Sequence, residues 1–252
     1  MSPSEPGGKS RLWKSIVRHP APLDRAGRIA VMLGNFFLHL HPVSVPQHAL
    51  RLRYTWCMGG ITAFLFLVET ISGVLLMFYY RPTVQWAYRD MLDLRDVASL
   101  GLLRELHRWG AHAMVVAVML HMLRVFLTGS YKSPREFNWV IGVVLLVLVL
   151  LLSLTGYLLP WDQLSFWAVT VASNMAGAAP LVGAAGPGHH LLSPALAGSL
   201  DPKALLLGGP GVGENTLNRF YVLHCVAIPL LAGLLMAFHF WRVRKDGISG
   251  PL

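Results

Sequence analysis

The chain has 252 residues, of which 54% are hydrophobic and only 13% charged, and its mean hydropathy is +0.53. A soluble domain carries about 25% charged residues, so this composition excludes an ordinary soluble fold. The formal charge of +9 goes with clustered apolar runs, which assigns the basic residues to loops at a bilayer surface rather than to a nucleic acid.

Residues 1–53 form a basic N-terminal region. Lys9, Arg11, Lys14 and Arg18 are followed by no apolar core and no small-residue cleavage site, so no signal peptide is expected. Asp24 to Leu40 is predicted to be an amphipathic helix lying at the interface. Four apolar spans follow, at about 54–80, 107–127, 139–159 and 220–241. Each is near the ~20 residues that cross the hydrocarbon as a helix. Tyr54, Trp56, Tyr79, Tyr80, Trp139, Trp161 and Trp241 mark their ends. A long link at 160–216, rich in Gly, Pro, Ala and Leu from Gly183 to Gly213, joins spans three and four, and 242–252 is a tail. The expected fold is all-α: an integral membrane four-helix bundle over 54–241 with an N-terminal interfacial helix. Four spans put both termini on one side. That side holds fourteen of the 21 Lys and Arg residues, so the positive-inside rule places the termini in the cytoplasm. Cys57 and Cys225 give neither a disulfide framework nor a CxxC or CxxCH motif.

Ionisable residues inside spans are costly and mark function. His107 and His121 lie fourteen residues apart in span two, and His224 and His239 fifteen apart in span four. At about 100° per residue each pair falls within ~40–60° on its helix, separated by ~21–22 Å along the axis. Spans two and four run in the same direction. His107 and His224 therefore share one depth near the outer side, and His121 and His239 another near the cytoplasmic side. Each level offers one imidazole from each helix, the arrangement that bis-histidine ligation of a haem requires. The competing reading is polar packing or a proton relay. His112 is about 140° from His107 on the same helix and is read as non-ligating. His189 and His190 fall in the outer link and are read as exposed.

Gly59 and Gly73 in span one, and Gly142 and Gly156 in span three, repeat the fourteen-residue period. A porphyrin between helices needs the close backbone approach that glycine permits, although helix packing alone accounts for any one of them. Arg104 and Arg124 each lie three residues from a candidate ligand. Spacing leaves them open between pairing with haem propionates and snorkelling to the interface.

Leu103 to Trp109 (LRELHRW), His121 to Gly129 (HMLRVFLTG) and Leu154 to Gln163 (LTGYLLPWDQ) resemble cytochrome b of quinol–cytochrome c oxidoreductases. Tyr79 to Thr83 (YYRPT), Thr216 to His224 (TLNRFYVLH) and the ending Asp246 to Leu252 (DGISGPL) resemble its short, b6-type form. The resemblance covers about residues 45–252. It implies two haems b, a low-potential one on His107 and His224 and a high-potential one on His121 and His239, with Arg104 and Arg124 at propionates. It further implies a third, c-type haem held by a single thioether to Cys57, just before Gly59-Gly60, with Arg244 near its propionates. A free cysteine is otherwise a small buried hydrophobe, which is the reading kept for Cys225. Tyr157, Trp161 and Phe166 match the part of the quinol pocket that this half supplies. Glu69 stands where the family usually has an amide.

The resemblance implies an electron-transport subunit working in a Q cycle, of a respiratory or a photosynthetic chain. It oxidises quinol at the outer side and reduces quinone at the inner side of the cell's cytoplasmic membrane, in a dimeric complex. The implied partners are a Rieske iron–sulfur protein, a cytochrome c-type subunit, and a separate membrane subunit equivalent to the C-terminal half of cytochrome b. The last is expected because the sequence holds no Pro-Glu pair, and the family's Pro-Glu-Trp-Tyr motif lies in that half. The chain alone is then inactive. Two other classes are weighed against this: a dihaem membrane anchor of another respiratory enzyme, which needs none of the YYRPT, LPWDQ or GISGPL segments, and a non-haem transporter bundle using histidines as proton relays.

Overall fold

Residues 22–33, 47, 51, 55–191 and 199–249 are described in the structure, a computed structural model. Among the described residues the regular structure is entirely helical. Helix α1 covers Arg25–Leu33, α2 Met58–Met77, α3 Ala87–Asp96, α4 Ala98–Leu127 and α5 Glu136–Leu158. Helix α6 covers Gln163–Gly177, α7 Pro202–Leu207, α8 Glu214–Val222 and α9 Ile228–Asp246. A π-turn at Leu223–Ala227 joins α8 to α9, so the fourth span is one helix from Glu214 to Asp246. Four helices are long and apolar enough to cross a membrane, and most of their apolar surface is exposed. In water that exposure would be prohibitive; hydrocarbon and protein partners accept it.

The helices differ in extent from the predicted spans. Span two begins at Ala98 rather than His107, and span four runs from Glu214 to Asp246 rather than 220–241. Hydropathy registers only the apolar part of a helix, whereas backbone hydrogen bonding continues through polar ends. Link 160–216 is not a simple loop, since it carries α6, α7 and the start of α8. Local caps explain this: the Asp162 carboxylate accepts from the Ser165 N–H at 2.8 Å to start α6, and Asp201 with Pro202 starts α7, which Gly208 ends at φ +66°. A helix is present over Arg25–Leu33, part of the stretch predicted to lie at the interface, capped by Asp24, whose carboxylate accepts from Gly27 N–H at 3.0 Å. Residues 34–40 of that prediction, and Tyr54, lie outside the described residues, as do 192–198 of the link and 250–252 of the tail.

The chain forms two compact units, each taking a part of every long helix. The first comprises Met1–Ala63, Val115–Val147 and Ala232–Leu252. Its C-terminal segment is pinned by Arg135 Nε, which donates to the Gly247 carbonyl at 2.9 Å, and by a hydroxyl pair between Ser130 and Ser249 at 2.6 Å. The second unit comprises Phe64–Met114 and Leu148–Leu231. There Tyr80, Ala87 and Leu217 are buried together against Met91, Leu159, Trp161 and Tyr221. Leu158, Val169 and Phe220 form a second buried cluster. The Tyr80 hydroxyl donates to the Leu159 carbonyl at 2.6 Å, and the Glu214 carboxylate accepts from Val84 N–H at 3.0 Å.

Candidate haem-binding sites

Each unit holds two of the four histidines and two of the four glycines. In the second unit the His107 and His224 rings lie 6.1 Å apart, centroid to centroid, at 88°. That separation is roughly two ring radii plus two metal–nitrogen bonds of about 2 Å. The hydrogen bonds fix which nitrogen faces a metal. His224 Nδ1 is 3.1 Å from the Leu152 carbonyl oxygen, which can only accept, and 3.2 Å from Thr155 Oγ1. The proton therefore sits on Nδ1 and the Nε2 lone pair is free. Ser72 Oγ donates to the Val68 carbonyl at 2.7 Å, so it accepts from His107 Nδ1 at 2.9 Å; the Glu69 carboxylate lies 3.1 Å from the same nitrogen. Both rings are thus oriented as metal ligands are, through the nitrogen that does not bind.

The π-turn that carries His224 follows from Pro229, two residues into α9. Proline has no N–H to return to the Cys225 carbonyl, and the helix widens there. The glycines complete the cradle. A Cβ on Gly156 would stand 2.6 Å from His224 Cε1, and one on Gly73 would stand 3.1 Å from His107 Cε1.

In the first unit the same relation recurs between other residues. A Cβ on Gly59 would stand 3.4 Å from His121 Cε1, and one on Gly142 would stand 3.7 Å from His239 Cε1 and 3.6 Å from Met122 Sδ. His239 Nδ1 is buried, with the Asn138 main chain as its neighbour. Sequence spacing alone paired these residues by depth, and the structure sets each glycine against one histidine.

The remaining candidates fall as follows. Cys57 is exposed and carries a free thiol at the start of α2. Both Trp56 (φ +53°) and Cys57 (φ +50°) have left-handed backbone, a strained conformation that turns the chain sharply into the helix. Arg104 pairs with Glu105 at 3.1 Å, while Arg124 and Arg244 are half-buried. Trp161 (φ +53°) meets Phe166 edge-on at 6.4 Å, and Tyr157 is 51% exposed on α5. His112 is exposed and bonds the Arg108 carbonyl oxygen at 2.7 Å; His189 and His190 are exposed.

Several contributing residues are not visible by spacing. Ser72, Thr155 and the Leu152 carbonyl lie one helical turn or less from a matching glycine, and Ser or Thr at such positions was the available signal. Arg242 and Asp246 form a buried pair at 3.0 Å, with both side chains 1% exposed, and the Arg242 guanidinium lies 5.4 Å from the Phe137 ring centre. Their i, i+4 spacing was the signal there. At the base of α3, the Asp90 carboxylate accepts from Arg81 N–H at 2.7 Å and from its guanidinium at 2.5–3.2 Å. That fork holds the Asp90 carboxyl below the usual carboxylate range and raises the Arg81 guanidinium.

Among the described residues no three His, Cys, Asp or Glu side chains converge as for an all-protein metal site. Two facing imidazoles with no further protein ligand suit a metal whose other positions a macrocycle fills. The oriented Nδ1 groups, the free Nε2 atoms and the glycine cradle fit a haem.

Residues 43–247 match the Cytochrome b/b6/petB family. Cytochrome b6 of Tupiella akineta is 44% identical over 209 residues, which is 82% of this chain and 88% of that protein. Cytochrome b6 of Gracilaria tenuistipitata var. liui gives the same identity and coverage. Among solved structures, a chain of a hyperthermophilic respiratory Complex III superposes with a TM-score of 0.68 at 28% identity over 84% of this chain; this chain spans about half of it, 51%. The chain therefore belongs to the cytochrome b/b6 family and is a haem-bearing, multi-pass membrane cytochrome b.

Proposed function

We propose that this chain is the cytochrome b subunit of a quinol:cytochrome c oxidoreductase, carrying electrons between an outer quinol-oxidation site and an inner quinone-reduction site. The observation that carries the reading is the His107–His224 pair, 6.1 Å apart, with both Nδ1 atoms engaged by helix groups. His107 and His224 would hold one haem b, and His121 and His239 the other. Bound haem supplies reversible one-electron chemistry at iron. The chain's own residues would hold that group and keep it dry: the four histidines would bind it, the glycines would leave room for a flat macrocycle, and the apolar helices would exclude water.

Arg104, Arg124 and Arg244 are assigned to propionate carboxylates, which an arginine fork suits. Cys57 is assigned a thioether to a third, c-type haem. Its exposed thiol, and the left-handed backbone that projects it from the helix start, support this. Trp161 and Phe166, with Tyr157, would supply one wall of the quinol pocket. The rest is assigned to a separate membrane subunit equivalent to the C-terminal half of cytochrome b. A Rieske protein and a cytochrome c-type subunit would accept electrons within a dimeric complex in the cytoplasmic membrane, with both termini cytoplasmic. The distribution of Lys and Arg supports that orientation.

A reduced-minus-oxidised visible spectrum of the purified complex tests the reading, and the absence of a b-type band would end it. A denaturing gel stained for haem peroxidase tests Cys57. Stain that travels with this chain and disappears in Cys57→Ser supports the covalent haem, and an unstained band removes it.

A further inference from the structure

Glu69 is a carboxylate in the middle of α2, and its side chain is only 10% exposed. Charge at that position is costly and needs a compensating use. One oxygen, Oε2, lies 3.1 Å from His107 Nδ1. The other, Oε1, is buried without a hydrogen-bond partner among the described residues. It occupies a notch that exists because residue 110 is glycine: a Cβ there would collide with Oε1. The carboxylate is therefore clamped, with one oxygen against the bare backbone of α4 and the other aimed at the ligand imidazole. His107 Nδ1–H donates to the Ser72 hydroxyl at 2.9 Å, and Glu69 Oε2 stands beside it, 3.1 Å from the same nitrogen. Ser72 is neutral, and its own proton is directed at the Val68 carbonyl. His224, by contrast, is oriented by a neutral carbonyl and a hydroxyl.

We propose that Glu69 is a positioning residue that acts through His107 to lower the midpoint potential of the haem bound there. The inference rests on the reading that His107 ligates haem b. The physical reason is second-sphere donation. An imidazole whose N–H is held by a carboxylate carries more negative charge on its ring, is a stronger donor to iron, and favours the ferric over the ferrous state. Ser72 competes for the same proton and so moderates the effect. The two residues act on the potential in opposite directions, which a purely structural role cannot reproduce.

The test is a potentiometric titration of the b bands in the intact complex, in three forms: unaltered, Glu69→Gln and Ser72→Ala. A His107→Leu form identifies which band belongs to this site. Glu69→Gln keeps the shape and an acceptor but removes the carboxylate. It is expected to raise the midpoint of the His107 haem by about tenfold in the reduced-to-oxidised ratio at fixed potential, which is 59 mV for a one-electron couple. Ser72→Ala leaves Glu69 as the sole side-chain acceptor and is expected to lower the same midpoint. The other b haem stays unchanged in both. Unchanged midpoints, shifts of the same sign in the two variants, or equal shifts of both haems overturn the proposal. If Glu69→Gln fails to retain haem, Ser72→Ala decides alone: a lowered midpoint upholds the proposal and any other result overturns it. Absence of b bands from the unaltered complex is a different result, and it removes the haem reading itself.

Discussion

His224 donates its Nδ1–H to the main-chain carbonyl of Leu152, 3.1 Å away on α5. A carbonyl oxygen has no proton to give, so this bond sets the tautomer of the ring without help from any side chain. Thr155 Oγ1 lies at 3.2 Å and is a second acceptor, not a necessary one. Thr155→Val is therefore expected to keep both b haems, because the Leu152 carbonyl still holds the ring. His224→Leu is expected to remove one haem and leave the one proposed for His121 and His239. Pyridine haemochrome quantification of the purified complex checks this, with haem b per complex falling from two to one only in the His224 variant.

The glycines are expected to grade by how near a new methyl would come to a histidine. At Gly156 the added Cβ is 2.6 Å from His224 Cε1, closer than van der Waals contact allows, and main-chain Gly156 cannot retreat easily within α5. At Gly73 the distance is 3.1 Å, at Gly59 it is 3.4 Å, and at Gly142 the contact of 3.7 Å is ordinary. Alanine substitutions should lower haem retention in the order Gly156, Gly73, Gly59, Gly142. Absorbance of the b band per mole of protein measures it. Equal retention in all four would show that these glycines serve helix packing only.

Much of this was readable from residue spacing, for a physical reason. A bilayer forces straight helices of known pitch, so His107, His121, His224 and His239 acquire depths from their numbers alone. The glycine repeat was legible on the same ground. Spacing could not disclose contacts made sideways between helices. That Ser72 and Glu69 both reach His107 Nδ1 depends on the rotation of α2 about its axis, which apolar composition on all faces leaves undetermined. The helices of 160–216 were hidden because their signals are caps, Asp162 and Asp201, rather than periodicity. The π-turn at His224 was in principle visible through Pro229, but proline in a span predicts a disturbance and not its form.

The buried pair Arg242–Asp246 should dominate the stability of the C-terminal end of α9. Both side chains are 1% exposed and 3.0 Å apart. Removing one partner of a buried ion pair costs about 3–5 kcal/mol. Asp246→Ala and Arg242→Ala are each expected to destabilise by that order. The double replacement Arg242→Met with Asp246→Leu restores an apolar filling and should cost much less than the sum. Thermal unfolding in detergent, followed by loss of the haem band, gives the comparison through a double-mutant cycle.

Acid should loosen the turn between α2 and α3 before it touches the helices. Asp90 is buried at 3% side-chain exposure and accepts from the Arg81 main chain and guanidinium. Its carboxyl is therefore held below the ordinary range in the folded protein, whereas an unfolded chain would show a value near about 3.9. A folded value below the unfolded one means the fold binds fewer protons. The contribution is then fully present above the unfolded value and is lost as pH falls through the folded one. Between neutral pH and about pH 5 this pair is expected to give no pH dependence, and below about pH 4 the unfolding temperature should decline. In Asp90→Asn the carboxylate is gone at every pH, so the variant should be less stable at neutral pH and its acid decline shallower. Unfolding temperatures of both forms from pH 7 to pH 3 measure the difference. Parallel curves would mean that the Arg81–Asp90 fork contributes nothing to folding.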